Sequence, residues 1–447
     1  MASIMSRKIN TLLLAMAFAL PAAAEPLTFK QCVAEALAAN PDLSASGARI
    51  GQADAALAQA ERAGLPRINL SLTATRTNDP LGAFGLKLGQ GQVDPATDFT
   101  GPALNNPDPI NNLNTRIEIA APLYTGGQLA AQTTQARAAT RAARQGDVAL
   151  RQQLILQVAQ AYQGVHAARA YLKVGEESVK AAEEYLRVTE SLLKQGMGVK
   201  SDLLTARVNL EDARLRVVEA RRKEAGALDQ LKLSMGRPLT EAIEIGDSHV
   251  TAMPAGDETA WLDQARQNHP GLLALREQKE AARAQVEAAR AGRRPQLNVM
   301  ARQDWNDESL GLSASSYTVA GVLSWNAFDG GVTDAGIDRA SAGYNEVDAR
   351  LRQAESGVVF QVREARRQAQ ESETRLAARQ AAVADAEEAQ RLTRKRYENG
   401  LATLVDLLAV QAQLDKARAE LVAARHDIEI SRIELKRAVG LLAVDTL

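Results

Sequence analysis

Few side chains in this sequence are spaced for covalent chemistry. The four histidines, His166, His249, His269 and His426, are scattered, and no two have the short separation of metal ligands on one element. Three of them fall in or at the start of helical stretches, where an ordinary polar role is expected. The single cysteine, Cys32, has no partner for an internal disulfide, and its apolar helical setting predicts burial as a small hydrophobe. Gly82 to Gly91 is glycine-rich but leads from an alternating stretch into a loop, so it does not read as a phosphate cradle. No Walker motif, nucleophile elbow or HExxH occurs. No catalytic residue, cofactor or metal site is assigned, and no enzymatic role.

The notable polar pair is Asp202 and Asp406. Asp406 interrupts the apolar run Leu404-Val405-Asp406-Leu407-Leu408, and Asp202 holds the same place in a second copy of the motif. A carboxylate in the first turn of a helix is favoured by the helix dipole, and Thr403 to Asp406 has capping-box spacing. The other use is electrostatic: carboxylates gathered around a narrow passage would attract cations. The two uses are compatible.

These aspartates belong to a repeated stretch. Gly196-Met197-Gly198-Val199-Lys200-Ser201-Asp202-Leu203-Leu204 returns as Gly400-Leu401-Ala402-Thr403-Leu404-Val405-Asp406-Leu407-Leu408, an offset of 400 − 196 = 204. The offset also maps Gly126-Gly127 onto Gly330-Gly331, Arg187 onto Arg391, Leu210 onto Leu414 and Gly236 onto Gly440. Each copy interrupts a long Ala/Glu/Arg/Leu-rich segment, and a left-handed glycine there ends one helix before the next begins. Each is therefore expected to be the tip of a helical hairpin, and the whole a duplicated unit too long for a solenoid repeat. Gly196 and Gly400 shape the tips; apolar Met197, Val199, Leu401 and Leu404 flank them and suit a partner helical hairpin.

The elements that carry the tips follow from periodicity. From Gly127 to about Lys194 and from Gly331 to about Asn399 there is no proline; nearly seventy residues make a helix of roughly 100 Å. In the second, Val347, Leu351, Ala354, Val358, Val362, Ala365, Ala369, Ser372 and Leu376 form a heptad seam with one stutter. Shorter helices, 202–236 and 406–440, return antiparallel. Upstream, Thr28 is placed to cap a short helix with Phe29, Val33, Ala36 and Leu37 on one face, and Asn40-Pro41 starts another that runs to about Gly64. Asn268-His269-Pro270 introduces the equivalent helix of the second half, here at an offset of 270 − 41 = 229.

Between these helices the period falls to two. Ile68, Leu70 and Leu72 alternate with polar residues, and Ile117, Ile119, Ala121 and Leu123 alternate with Arg116, Glu118 and Ala120. Leu297-Asn298-Val299 and Tyr317 to Trp325 hold the equivalent places. Residues 76–113 between the first pair, rich in Asn, Asp, Pro and Gly, are expected to be a surface loop carrying the 229 − 204 = 25 extra residues. Four amphipathic strands cannot close a membrane barrel alone, since the smallest have about eight; three chains would supply twelve.

Composition agrees with an assembly of long helices. Of 447 residues only 4% are aromatic, and 53 basic residues offset 54 acidic ones, so no basic surface points to nucleic acid. Arg7 and Lys8, the apolar run Ile9 to Leu20, and Ala22-Ala23-Ala24 read as a secretory signal, with the mature chain beginning at Glu25. No later stretch has the roughly 20 apolar residues of a spanning helix.

The doubled order helix–strand–strand–helix–tip–helix, together with Ala121-Pro122-Leu123-Tyr124-Thr125-Gly126-Gly127, Ser324-Trp325-Asn326-Ala327-Phe328-Asp329-Gly330-Gly331 and both tips, resembles the TolC family of outer-membrane efflux proteins across nearly all of the mature chain. The resemblance implies a mainly α fold with membrane β: a homotrimer sharing a twelve-stranded barrel in outer-membrane lipid, continuous with a periplasmic α-helical barrel that narrows at the tips. It implies an exit duct for tripartite efflux or type I secretion in a Gram-negative bacterium, docked by a periplasmic adaptor and an inner-membrane pump of the RND, ABC or a similar class. Tyr397, Asp406, Ser201 and Asp202 fall where the family places aperture residues, and Gly196, Met197, Gly198, Val199, Gly400, Leu401 and Leu404 where the adaptor docks. Ala402 and Ala409 stand where some relatives carry a basic and a further acidic residue, so the closing network is expected to differ here.

The expected partition is signal 1–24, helices 25–66, β-hairpin 67–124, helical hairpin 125–236, linker 237–257, helices 258–294, β-hairpin 295–328, helical hairpin 329–440 and tail 441–447. Two other readings compete. A periplasmic adaptor would have one hairpin flanked by β-rich domains, and a coiled-coil scaffold would need no alternating strands.

Overall fold

A computed structural model describes residues 26–248 and 251–446. The signal-sequence expectation and His249 lie outside the described residues. Helix α1 (Phe29–Ala39) begins at a capping box in which Thr28 and Gln31 bond each other's backbone N–H. Asn40 ends it and caps α2 (Pro41–Arg62), whose first residue is the proline a helix start tolerates. Strand β1 (Arg67–Thr77) and strand β2 (Ile110–Tyr124) then enclose an insert, and β2 turns through Gly126-Gly127 into α5 (Gln128–Lys194).

The insert corrects the expectation of a loop over 76–113. The strands extend to Thr77 and back to Ile110, and the connection folds into α3 (Pro80–Gly89) and α4 (Gly101–Asn105). Asp79 caps α3 at the Gly82 N–H (2.7 Å), and Lys87 pairs with Asp98 at 2.8 Å. The apolar content of Pro80 to Gly89 outweighs its glycines once the cap and the proline fix the first turn.

After α5, helix α6 (Lys200–Met235) returns antiparallel. Helices α7 (Glu258–Asn268) and α8 (Pro270–Arg290), strands β3 (Gln296–Asp307) and β4 (Ala314–Ser324), and helices α9 (Val332–Glu398) and α10 (Leu404–Val439) complete the chain. Helices α5 and α9 each have 67 residues, and α6 and α10 each have 36. At 1.5 Å per residue the long pair extends ~100 Å. Near the sheet they are flanked by α2 and α8, tied by Arg137–Glu61, Arg144–Asp54, Arg141–Glu277 and Lys279–Asp348. Toward the tips they are flanked by α6 and α10. None of the nine seam residues of α9 is solvent-exposed.

The main core lies mid-length, where Phe29, Cys32, Val33, Tyr162, Leu231, Met235 and Ile433 pack together. Cys32 is fully buried there, which pushes its thiol pKa up to about 11. A second core joins Trp261, Leu272, Leu351, Val362 and Leu435. His166 and His269 are held below the usual imidazole pKa, chiefly by burial. Among the described residues no group of three or more His, Cys, Asp or Glu is arranged to hold a metal, and no helix is long and apolar enough to cross a membrane.

The strands form one antiparallel sheet in the order β1-β2-β3-β4. Register puts Ile68 beside Ile119, Ala301 and Val319, and Leu70 beside Ile117, Gln303 and Tyr317. The opposite face carries Ser71, Arg116, Asp304 and Ser316 in one row and Asn69, Glu118, Arg302 and Thr318 in the next. One face is therefore mostly apolar and solvent-exposed, with Ile68, Leu70, Tyr317 and Val319 each more than 70% accessible. The other is polar and internally bonded: Arg116 meets Asp304 at 2.7 Å, and Asn114 donates to Asn306 and Asp304. Within the chain, β1 pairs with β2 and β4 with β3, leaving the far edge of each without a partner among the described residues.

Candidate functional site: the hairpin tips and the sheet

Both tips are built by the same backbone device. At the first, the Gly196 N–H donates to Leu193 O (3.1 Å) and the Met197 N–H to Leu192 O (2.9 Å); at the second, Gly400 donates to Tyr397 O (2.9 Å) and Leu401 to Arg396 O (2.8 Å). Gly196 and Gly400 have φ of +76° and +72°, the left-handed conformation that this pair of bonds requires. Neither has an atom within 4 Å of where a Cβ would sit, so the glycines serve the turn and leave the surface above it clear.

The tips differ in how the next helix starts. Thr403 and Asp406 form the capping box: the carboxylate accepts from the Thr403 N–H (3.0 Å) and hydroxyl (2.7 Å), and Thr403 Oγ1 accepts from the Asp406 N–H (3.1 Å). These bonds hold the exposed Asp406 carboxyl below the usual carboxylate range. At the first tip Val199 occupies the cap and provides no side-chain bond; Ser201 is exposed and Asp202 half-buried.

Met197, Val199 and Leu401 are 68%, 57% and 70% accessible, an apolar surface at the end of the helical layer. Gly198 is tighter, since a Cβ there would approach the Leu193 backbone at 3.0 Å. Leu404, expected on that surface, is instead buried with Leu407, Tyr185, Ala206 and Tyr397, because α10 turns its first apolar residues inward against α5. Tyr397, expected at an aperture, is only 5% accessible, and its hydroxyl shares a 2.8 Å bond with Thr189. It joins the two hairpins of one chain.

That contact belongs to a polar seam that the sequence reading missed. Tyr185 on α5 donates to Gln411 Oε1 (2.6 Å) on α10 and accepts from Gln390 Nε2 (2.5 Å) on α9. Gln411 donates to Asp415 (2.8 Å), which also accepts from Ser178 (2.7 Å), and Arg418 reaches both Glu177 and Glu387 at 2.8 Å. The signal was present: Ser178, Ala182, Tyr185 and Thr189 are spaced 4-3-4, a helix-facing stripe containing three hydroxyls.

Taken together, the described residues place an amphipathic sheet at one end, apolar tips at the other, and ~100 Å of helix between them. Solved structures share this arrangement: one of CusC superposes with a TM-score of 0.80 over 92% of both chains at 19% identity, and that of the Vibrio cholerae outer membrane protein VceC with 0.78 over 92% of this chain and 96% of that one, also at 19%. In sequence, the alkaline protease secretion protein AprF of Pseudomonas aeruginosa is 26% identical over 302 residues, 65% of this chain and 62% of AprF's length. The outer membrane protein TolC of Vibrio cholerae is 25% identical over 316 residues, 68% of this chain and 72% of that protein. The family model described as outer membrane efflux protein matches residues 32–237 and 261–441, which takes in both tips, all four strands and nearly every helix: the chain belongs to the outer membrane efflux protein family.

Proposed function

We propose that the chain is one third of an outer-membrane exit duct, passing substrate from an inner-membrane pump and a periplasmic adaptor to the outside. The family is one of transport and not of enzymes. The observation that carries the reading is the sheet. Its exposed apolar rows run from Leu323 to the level of Leu72, eight residues along β4 (323 − 315). At ~3.4 Å each that is ~27 Å along the strand, or ~20 Å upright at the usual tilt, near the ~25 Å apolar band of membrane barrels. An open edge cannot sit in lipid. Strands β1 and β4, the two edges, have 11 residues each and run in opposite directions, so β4 of one copy can pair antiparallel with β1 of the next.

Three copies then close a twelve-stranded barrel with the Arg116–Asp304 face lining the lumen, and the paired hairpins below form a periplasmic helical barrel. The matched helix lengths support two copies of one ancestral unit. In this duct 67–124 and 295–328 are the barrel, 125–236 and 329–440 the hairpins, 25–66 and 258–294 the flanking helices, and 237–257 and 441–447 the linker and tail. Asp406, Asp202 and Ser201 are assigned to the periplasmic aperture, with Tyr397 acting behind them as a hairpin tie. Met197, Val199 and Leu401, on turns set by Gly196, Gly198 and Gly400, are assigned to adaptor docking. Secretion is the more specific cargo class, because relatives include proteins named for protease secretion. Mass by light scattering on protein extracted from outer membranes tests the assembly: a trimer is expected, and a folded, membrane-inserted monomer would reject it.

A further inference from the structure

The insert between β1 and β2 is a folded unit placed on one particular face of the sheet. Gln90, 7% accessible, donates from Nε2 to Asn111 O (2.7 Å) and to Asn112 Oδ1 (3.0 Å). Asn112 in turn donates to Asn306 Oδ1 (3.0 Å), and a Cβ on Gly89 would lie 3.7 Å from Asn306 Nδ2. Asn112 and Asn306 stand on the same face as Arg116 and Asp304, so α3 covers the loop end of the polar face and packs against both β2 and β4. The insert is braced internally by the Asp79 cap, the Lys87–Asp98 pair and the Phe84–Phe99 edge contact at 5.6 Å.

The side of α3 away from the sheet is apolar and open. Leu81 is 83% and Leu88 62% accessible, and with the exposed Gly85 they form a 4-3 stripe on one helix face. Water-facing leucines on a braced helix call for a partner, and position selects which one. A helix on the polar face of the sheet is turned away from lipid. It also reaches β4, the edge at which the next copy attaches in the proposed trimer. Twelve strands at ~4.8 Å spacing and ~40° tilt enclose a mouth roughly 24 Å across between backbones. A helix of ten residues is ~15 Å long and ~11 Å wide, so one on each of three walls fills most of that mouth.

We propose that the three inserts meet at the outer mouth of the duct. There the Leu81–Gly85–Leu88 stripe of each α3 packs against the same stripe of the other two copies to form an apolar constriction. This rests on the trimeric reading above and adds a second narrow point, at the end opposite the tips. An apolar constriction impedes ions by dewetting, and Gly85 at its centre allows close approach of the helices.

The test uses the full-length protein in native outer membranes and planar bilayers, with assembly checked first by mass. In Gly85→Cys, mild oxidation should give covalent dimers between copies; Cys32 is buried in the main core and does not compete. In Leu81→Ser/Leu88→Ser, both residues being exposed, single-channel conductance should rise at least about twofold. Trimers of normal mass that neither cross-link at position 85 nor gain conductance overturn the constriction, as does cross-linking with unchanged conductance. Loss of the trimer in the unmodified protein would instead reject the assembly reading, and the two failures are told apart by mass alone.

Discussion

Replacing Tyr185 with Phe removes one oxygen from the seam that holds the second hairpin to the first. The ring stays, so packing against Leu404 and Leu407 is kept. The hydroxyl is buried, with Tyr185 only 2% accessible, and burial raises its pKa, so it is the neutral donor to Gln411. Without it, Gln411 Oε1 loses its donor and Gln390 Nε2 its acceptor, while Gln411 Nε2 keeps Asp415. Orphaning a buried polar group costs about 1–3 kcal/mol; for two such groups, one only partly buried, we expect about 2–4 kcal/mol. A shift of that size changes the balance between docked and separated hairpins by roughly 30- to 700-fold. Single-channel recording of Tyr185→Phe should therefore show higher conductance or frequent wide openings, at normal trimer mass. Wild-type conductance together with wild-type thermal stability would refute the reasoning, since it would mean that these bonds are replaced by water without cost.

Three further outcomes are expected. Asp406→Asn keeps a capping side chain but removes the charge, so cation preference in a salt gradient should fall while the trimer persists; equal zero-current potentials would reduce Asp406 to a helix-start residue. Because Thr403 lowers the Asp406 pKa, its contribution to the tip is complete above the ordinary aspartate value of 3.8 and is lost only as the pH falls through the lowered one, so cation preference in the wild type should hold through mildly acidic pH. Leu at Gly196 or Gly400 is forced into the left-handed region at a cost of ~1–2 kcal/mol confined to the turn, and should abolish export while leaving trimer mass unchanged; normal export would place docking elsewhere.

Much of the helical layer was readable because its signals are local and repeated. The 204-residue offset, the heptad seam of α9 and the tip glycines located every long helix to within a few residues. The alternation at Ile68, Leu70 and Leu72 gave β1 its faces, whereas β3 and β4 extended beyond the short runs identified, since Gln303 interrupts the apolar face and Gly321 weakens it. The helix of the insert is not legible locally, because glycines and prolines dominate a ten-residue apolar stretch whose helix depends on one cap. At the tips, exposure of Met197, Val199 and Leu401 followed from the turn, but the inward turn of Leu404 and Tyr397 depends on α5 lying alongside, a contact between residues some two hundred positions apart.

The unpaired edges of the sheet also constrain how such a protein is made. The helical hairpins satisfy their backbone within one chain, but the outer edges of β1 and β4, 11 residues each, have no strand partner among the described residues, and in the proposed trimer they find one only when neighbours arrive. Edges of that kind are templates for indiscriminate pairing, and here they border an apolar face. If the duct is the trimer proposed above, the unassembled subunit is a hazardous species whose lifetime depends on encounter with two others. Overproduction relative to membrane insertion should favour aggregates built through these strands, with the helices already folded. Helical circular dichroism would then be native in material that is not, and only resistance of the strands to hydrogen exchange would distinguish finished ducts from waiting subunits.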